Sequence, residues 1–223
     1  QIEIAILDGI QNIMPFGVGS DLQNQSSNLV DAYKRSELIK DKGLAIYALS
    51  AIIVDKAEPS EALKANIVWS MGLENPKYLL SSLQVKNFRK KGFVEEEIDV
   101  KAEKGAYFLN AEIVLPANEQ KEWMLIADVN QDHSDIARIL HTIKSEKQLE
   151  NLVNRSIEAG SKRLTALNAA SDGLQQTADK LREARHFSNS LFNIMRGGIF
   201  DRNYQIEKGD FSNYLSKANK HVF

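Results

Sequence analysis

The chain changes its hydrophobic period about two-thirds of the way along. Up to about Val129, runs rich in Ile, Val, Tyr and Trp alternate with polar residues in the two-residue period of half-buried strands. From Ser134 to Asn193, apolar residues recur every three or four positions, as they do in amphipathic helices. This order predicts a segregated α+β protein, with an antiparallel, supersandwich-like β-sandwich over residues 1–132 followed by a bundle of long linker helices over residues 133–223.

Several runs in the first part have the composition of strands. Isoleucines alternate with other residues from Ile2 to Ile6, up to the turn signal Asp8-Gly9. Residues 11–30 are rich in Ser, Asn, Gln and Gly and are predicted to form a long irregular connection that packs over the sheet. The predicted strands, at the spacing of an antiparallel meander or sandwich, are residues 2–7, 45–54, 63–70, 93–100, 106–115 and 122–128.

The second part is predicted to hold helices with recognisable ends. Ser134 is a suitable N-cap for the first helix, and a second helical stretch carries an apolar stripe over residues 149–167. A third is predicted to begin near Asp172-Gly173 and to end at residues 196–198, because paired glycines allow a left-handed cap. Asp210 is the predicted cap of a short final helix.

Composition excludes several classes of protein. The formal net charge is −2, and the basic run Lys86–Lys91 is followed closely by the acidic run Glu95–Asp99, so no nucleic-acid partner is expected. Cysteine is absent, which excludes disulfides, thiolate metal sites and a cysteine nucleophile. The longest apolar run, Leu44–Val54, is about half the ~20 residues of a membrane helix, so no membrane partner is expected.

The first residue is Gln1 rather than Met, and a predicted strand begins at once. Neither a signal peptide nor a natural start is visible. We interpret the chain as a piece of a longer protein and expect a cytoplasmic location.

No residue cluster predicts a reaction. His133, His141 and His186 lack a His-Glu-x-x-His pattern, and we interpret them as capping or partly buried residues rather than metal ligands. No nucleophile elbow, phosphate loop or dinucleotide fingerprint occurs, so no catalytic residue, metal or cofactor is predicted. Aspartates that end apolar segments have the positions of turn and capping residues: Asp8, Asp31, Asp55, Asp128 and Asp201.

Three aromatic residues are candidate carbohydrate-binding groups. Trp69, Trp123 and Tyr107 all fall within predicted strands, and sugars commonly stack on such rings. Rings in strands also form hydrophobic cores. Both interpretations, a sugar platform and core packing, are open for these residues.

The segment Arg196-Gly197-Gly198 is a candidate anion-binding or interdomain contact. The guanidinium of Arg196 matches the geometry of a phosphate or carboxylate, and the two glycines permit close backbone approach. The alternative is a structural salt bridge at a hinge.

Three segments occur in the order 8–12 (DGIQN), 28–34 (NLVDAYK) and 188–200 (SNSLFNIMRGGIF). Together they resemble the N-terminal part of large bacterial cellobiose-phosphorylase-like proteins, and more specifically of β-glucan phosphorylases. The resemblance implies an antiparallel β-sandwich that leads through a helical linker into an (α/α)₆ catalytic barrel. The order of strands and helices in this chain agrees with the first two of those parts.

The resemblance also implies an activity for the whole protein. Such enzymes transfer a glycosyl unit to inorganic phosphate with inversion, using an Asp of the barrel as general acid. No catalytic residue is therefore carried over to this chain. The implied role is a non-catalytic module that supports the barrel of the same polypeptide, its active-site rim or a homodimer contact, with inorganic phosphate as co-substrate of the parent enzyme.

Two alternative functions are considered. The chain could be a self-contained module that binds an oligosaccharide or a protein and oligomerises through its helices. A free-standing glycoside hydrolase would need a pair of carboxylates across a sugar, and the sequence indicates no such pair.

Overall fold

The computed structural model describes residues 1–51, 53, 62–143, 146–199, 205–219 and 221. The chain divides into two compact units, Gln1–Ser145 and Glu146–Phe223. The strands lie in the first unit and three of the long helices in the second. This α+β architecture with antiparallel sheets confirms the predicted fold class.

Two antiparallel sheets build the first unit. Sheet A has the strand order β1-β7-β5, and sheet B has the order β6-β2-β3-β4-β8. The strands are β1 (Ile2–Ile13), β2 (Lys34–Ile39), β3 (Leu44–Leu49), β4 (Ala65–Met71), β5 (Lys77–Leu79), β6 (Asp99–Lys101), β7 (Gly105–Leu115) and β8 (Met124–Gln131).

The main core lies between the two sheets. Sheet B contributes Leu38, Tyr47 and Val68, and sheet A contributes Tyr107 and Leu109 from β7. Side chains of neighbouring residues in a strand point to opposite faces, so the residues that alternate with these on β7 lie on the outer face of sheet A.

A second, smaller core covers part of that outer face. Ala106 and Phe108 of β7 and Leu79 of β5 pack with Val94, and Phe88 lies against them. Phe88 belongs to α3 (Val85–Arg89), a short helix after β5. The remainder of the outer face of sheet A is not covered by this core.

The first predicted strand boundary is wrong. Strand β1 does not turn at Asp8-Gly9 but continues to Ile13, paired with β7 except at a bulge between Gln11 and Ile13. Gly9 lies opposite Phe108, and a Cβ atom there would be 2.0 Å from the carbonyl oxygen of Tyr107. Glycine is present because two backbones approach closely, not because the chain turns.

Other predicted strands are also corrected. Residues 11–30 are not wholly irregular, since they contain α1 (Ser20–Gln25) and the start of α2 (Ser27–Tyr33). Of the predicted strand 93–100, only the end pairs with a neighbour, in β6. Strand β3 ends at Leu49, and residues 52 and 54 of the predicted 45–54 strand lie outside the described residues.

The helices begin at other residues than the sequence predicts. The first long helix, α4 (His133–Ile143), is capped by Asp132 rather than Ser134. Oδ1 of Asp132 accepts hydrogen bonds from the backbone N–H groups of Ser134 and Asp135, at 2.8 and 2.9 Å. Oδ2 of Asp135 in turn accepts a hydrogen bond from the backbone N–H of Asp132, as in a capping box.

The later helices show similar differences. Helix α5 (Glu146–Ala170) is followed by α6 (Lys180–Met195), which begins well after the predicted Asp172-Gly173. Asp179 caps α6 by accepting from two backbone N–H groups. Asp210 lies in the first turn of α7 (Lys208–Ala218) rather than at its cap, where a carboxylate still complements the helix dipole.

Asn168 links α5 to α6 within the helical unit. Its Nδ2 donates to the carbonyl oxygen of Phe187 at 2.9 Å, and its side chain is fully buried. The next turn packs on this side chain, because a Cβ atom at Gly173 would lie 2.1 Å from Oδ1 of Asn168. None of the helices among the described residues is long and apolar enough to cross a membrane.

Candidate functional site

Two of the three predicted carbohydrate-binding aromatics are buried. Tyr107 has no exposed surface and Trp69 is 6% exposed. The hydroxyl of Tyr107 donates to the carbonyl oxygen of Gly43 at 2.6 Å and lies 3.0 Å from Oγ of Ser70. Burial raises the pKa of the Tyr107 phenol. Neither ring offers a face to a ligand in solution.

Trp123 is different, because it is half-buried at the side of the sandwich. Its ring packs against the main core, while its indole Nε1 donates to Oδ2 of Asp8 at 2.7 Å. Asp8 belongs to β1, an edge strand of sheet A, and Trp123 immediately precedes β8, an edge strand of sheet B. The indole therefore joins the two sheets and keeps an accessible edge.

The predicted segment Arg196-Gly197-Gly198 forms the end of α6. Gly197 has φ +75°, and its N–H donates to Ile194 while that of Gly198 donates to Asn193, which is a Schellman motif. This confirms that the glycines end the helix. The Arg196 guanidinium lies 5.2 Å from the ring centroid of Phe192 and is exposed, so the predicted anion contact stays a prediction.

A cleft of about 940 Å³, which we call the outer cleft, lies on the uncovered part of sheet A's outer face. Strand pairing builds its floor. Asn110 of β7 pairs with Lys77 of β5, and Glu112 of β7 pairs with Ala5 of β1. These residues share a face with Phe108, so they extend the surface that the smaller core covers elsewhere.

The wall of the outer cleft is the end of α3 and the turn that follows it. It contributes Arg89, Lys91 and Phe93 to the lining. Lys91 has φ +58°, and the N–H of Gly92 donates to the carbonyl oxygen of Asn87 at 2.9 Å. The Nδ2 of Asn87 donates in turn to the carbonyl oxygen of Phe93. These local bonds fix the path of the turn.

Glu97 anchors the segment that leads into α3. Its carboxylate accepts from the N–H groups of Leu80 and Ser81, both at 2.8 Å, and from the Ser81 hydroxyl at 3.0 Å. It also accepts from Nε2 of Gln84 at 2.8 Å. A carboxylate that accepts this many hydrogen bonds holds its loop in one arrangement. The segment that leads into the wall of the cleft is therefore fixed.

The outer cleft is positively charged. It is lined by Lys77, Arg89 and Lys91 against a single carboxylate, that of Glu112. Within the described part of the chain, none of these three cations lies in a salt bridge. Nζ of Lys77 instead lies 4.3 Å from the centroid of the Phe93 ring and donates to the carbonyl oxygen of Val94 at 3.2 Å.

The described lining of the outer cleft does not have the carboxylate pair of a glycoside hydrolase. A glycoside hydrolase uses two carboxylates about 5–10 Å apart, whereas the described lining of the outer cleft contains Glu112 alone. Across residues 1–51, 53, 62–143, 146–199, 205–219 and 221, no group of His, Asp and Glu side chains could hold a metal ion.

The outer cleft is not predicted by the sequence. The basic run at Lys86–Lys91 was visible, but nothing local indicates that Lys77 and Glu112 lie beside it. The sequence feature that could have indicated the cleft is the pair of polar residues Asn110 and Glu112. They lie on the same strand face as Phe108, and they mark the point along β7 where that face is no longer buried.

One family model matches the chain. Its description is "Glycoside hydrolase family 149 insertion domain 1", and it matches residues 200–223. This short match links the protein to a family of glycoside phosphorylases, as the resemblance implied. The assignment of the other residues to the β-sandwich and linker of such enzymes stays a prediction. No curated protein matches the chain in sequence.

Proposed function

We propose that this chain is a non-catalytic module of a larger glycoside phosphorylase-like enzyme. The observation that carries the proposal is the family match at residues 200–223. It directly follows the segment Ser188–Phe200, which resembles cellobiose-phosphorylase-like proteins on independent grounds. The segregated α+β fold, with antiparallel sheets before long helices, supports the same proposal.

The helical unit supplies the surface for contact with the rest of such an enzyme. Met195 at the end of α6 is 72% exposed, and Tyr214 on α7 is 67% exposed. Large exposed apolar side chains mark an interaction surface where they form a contiguous patch. In this unit they are Leu152, Ile157, Leu164, Leu174, Leu181, Phe192, Met195, Ile206, Phe211 and Tyr214.

The proposal places the catalytic acid in a barrel outside residues 1–223 of the same polypeptide. Inorganic phosphate is then the co-substrate of the whole enzyme and not of this module. The module would shape the active-site rim, support the barrel or form a homodimer contact. Trp123 and Arg196 are predicted site residues that are accessible for such contacts. The cytoplasmic location is part of this proposal.

Two measurements test the proposal. The gene is read downstream of the Phe223 codon, where we expect several hundred further residues with the pattern of helical hairpins. The isolated chain is then incubated with phosphate and laminari- or cello-oligosaccharides, and no glucose 1-phosphate should form. A stop codon after Phe223 would favour the self-contained binding module, and phosphorolysis by the chain alone would contradict a non-catalytic role.

The contact surface is tested in the full-length enzyme. Met195→Ser and Tyr214→Ser should lower its thermal stability if these side chains are covered by the barrel or by a second subunit. Val129→Ser is the matched control, because Val129 is 64% exposed but lies in β8 of the strand unit. An equal effect of the control and the helical substitutions would remove the support for a helical contact surface.

A further inference from the structure

We infer that the outer cleft binds an anionic saccharide, with the sugar ring against Phe93 and the anionic group on Arg89 and Lys91. The choice of a saccharide rests on the proposed function. The preference for an anion rests on the charges of the cleft itself.

Phe93 provides the platform for the sugar ring. Its side chain is 69% exposed although it is large and apolar. Lys77 lies over its ring and is itself held by the carbonyl oxygen of Val94, so the ring has a fixed orientation. The exposed part of the ring is available to the C–H face of a sugar, which packs well on an aromatic surface.

The floor provides acceptors for sugar hydroxyls. Nδ2 of Asn110 donates to the carbonyl oxygen of Ile6 at 2.9 Å, which orients the amide and leaves Oδ1 to accept. The carboxylate of Glu112 is exposed on the same strand face. Hydroxyl groups donate readily to both acceptor types.

Arg89 and Lys91 provide the anion selectivity. Both line the cleft, and neither is neutralised by a salt bridge within the described residues. A guanidinium and an ammonium that line the same cleft both bind the oxygens of a phosphate or a carboxylate. The shared chemistry of the ligand is therefore a sugar that carries one of these two groups.

The test compares lining and non-lining cations on the same segment. In the double variant Arg89→Gln/Lys91→Gln the lining charges are removed, and in the control Lys86→Gln/Lys90→Gln two exposed charges outside the lining are removed. Each protein is titrated by calorimetry with glucose 1-phosphate, glucuronate, glucose and inorganic phosphate. Glucose 1-phosphate and glucuronate identify which anionic group is preferred.

We expect an anionic sugar to bind the unmodified chain at least about tenfold more tightly than glucose, since charge-assisted hydrogen bonds are the stronger kind. The lining variant should lose about that factor, and the control variant should bind as the unmodified chain does. Equal binding of glucose, or no binding of either anionic sugar, would overturn the inference. Unchanged binding by the lining variant would place the site elsewhere and overturn it as well.

A second pair of variants tests the sugar platform. Phe93→Ala should weaken binding of the anionic sugar and leave inorganic phosphate unaffected, whereas Leu83→Ala, at an exposed apolar position outside the lining, should change neither. Inorganic phosphate binding as tightly as the sugar phosphate would show an ion site and contradict a saccharide site. These results do not depend on what the gene encodes after Phe223, so failure of the cleft and failure of the proposed function are separate outcomes.

Discussion

The ammonium nitrogen of Lys34 lies 2.6 Å from Oδ1 of Asp31, and the Lys34 side chain is 3% exposed. The same nitrogen donates to Oε1 of Gln23 at 3.0 Å and contacts the sulfur of Met14 at 3.6 Å. A buried ammonium must be surrounded by acceptors. Lys34 therefore ties the segment before β2 to the start of that strand, which is why α1 and α2 stay against the sandwich.

Asp31→Asn should destabilise the strand unit more than Lys34→Met does. Loss of the Asp31 charge leaves a buried ammonium without its counter-ion, which costs about 3–5 kcal/mol in comparable pairs. Methionine at position 34 fills much of the same volume, and Asp31, at 19% exposure, can then be hydrated. Urea unfolding followed by tryptophan fluorescence measures the unfolding free energy of each variant, since Trp69 and Trp123 lie in this unit. The reverse order of stabilities would contradict the buried-charge argument.

The strand unit should lose stability in alkali. Burial raises the pKa values of the Tyr47 and Tyr107 phenols, so the folded state holds these protons more tightly than the unfolded state does. The stability that these protonated phenols contribute is fully present below about pH 10, the ordinary tyrosine pKa, and it declines as the pH rises above that value. Unfolding free energies measured across this range should therefore fall on the alkaline side.

Tyr47→Phe tests the origin of this effect. The variant loses the hydrogen bond from the phenol to the carbonyl oxygen of Ala106, and about 1 kcal/mol of stability at neutral pH. It should also have a shallower alkaline decline, because one buried ionisable group is gone. Tyr214→Phe, at an exposed position, is the control that should leave the decline unchanged. Full tyrosinate formation near pH 10 without unfolding would refute the explanation.

Gly9→Ala should destabilise the strand unit by about 1–3 kcal/mol or more, the usual range for overpacking. The added methyl group would meet the carbonyl oxygen of Tyr107 and the Cα atom of Phe108, which are backbone atoms that cannot rotate away. Gly160→Ala is the comparison, because nothing lies within 4 Å of a Cβ atom there and the residue is inside α5. That substitution should instead stabilise the helix by about 1 kcal/mol, as measured by helical circular dichroism on heating.

The two tryptophans should separate fold from ligand binding. Trp69→Ala removes a core side chain and should cost about 3–5 kcal/mol of stability. Trp123→Ala removes a half-buried ring and should cost less. If Trp123 binds carbohydrate as predicted, Trp123→Ala should lower the affinity for laminari- or cello-oligosaccharides at a temperature where the variant is folded. Loss of fold without a selective loss of affinity would leave Trp123 a structural residue.

The change of period was enough to predict the fold class, but not every strand. Strand β2 was missed because its inward positions include Lys34 and Ser36, so the strand has no apolar alternation. Lys34 is buried only because acceptors on Met14, Gln23 and Asp31 surround its ammonium group. Residues 93–97 were predicted as a strand but form no strand. The N–H of Glu97 donates to the carbonyl oxygen of Tyr78 in β5, and the Glu97 carboxylate accepts from the N–H groups of Leu80 and Ser81.

The outer cleft could not be predicted because its parts come from distant places in the sequence. Lys77 and Asn110 meet through the pairing of β5 with β7, and Phe93 reaches Lys77 through a turn fixed by Asn87. Strand register depends on which faces are buried across a whole sheet. The end of α6 was predicted correctly because its cap needs only the local pair of glycines.

That cap gives the last prediction, which uses the two adjacent glycines as a matched pair. Gly197→Ala should destabilise the end of α6 by about 1–2 kcal/mol, because a side chain at φ +75° is strained whatever space surrounds it. Gly198→Ala should have little effect, since position 198 is not left-handed and its nearest neighbour, the Asn193 carbonyl oxygen, would lie at an ordinary 3.6 Å. Thermal unfolding of the two variants, followed by helical circular dichroism, measures the difference. Equal losses would contradict the claim that the left-handed backbone angle at position 197 is what requires glycine at the end of α6.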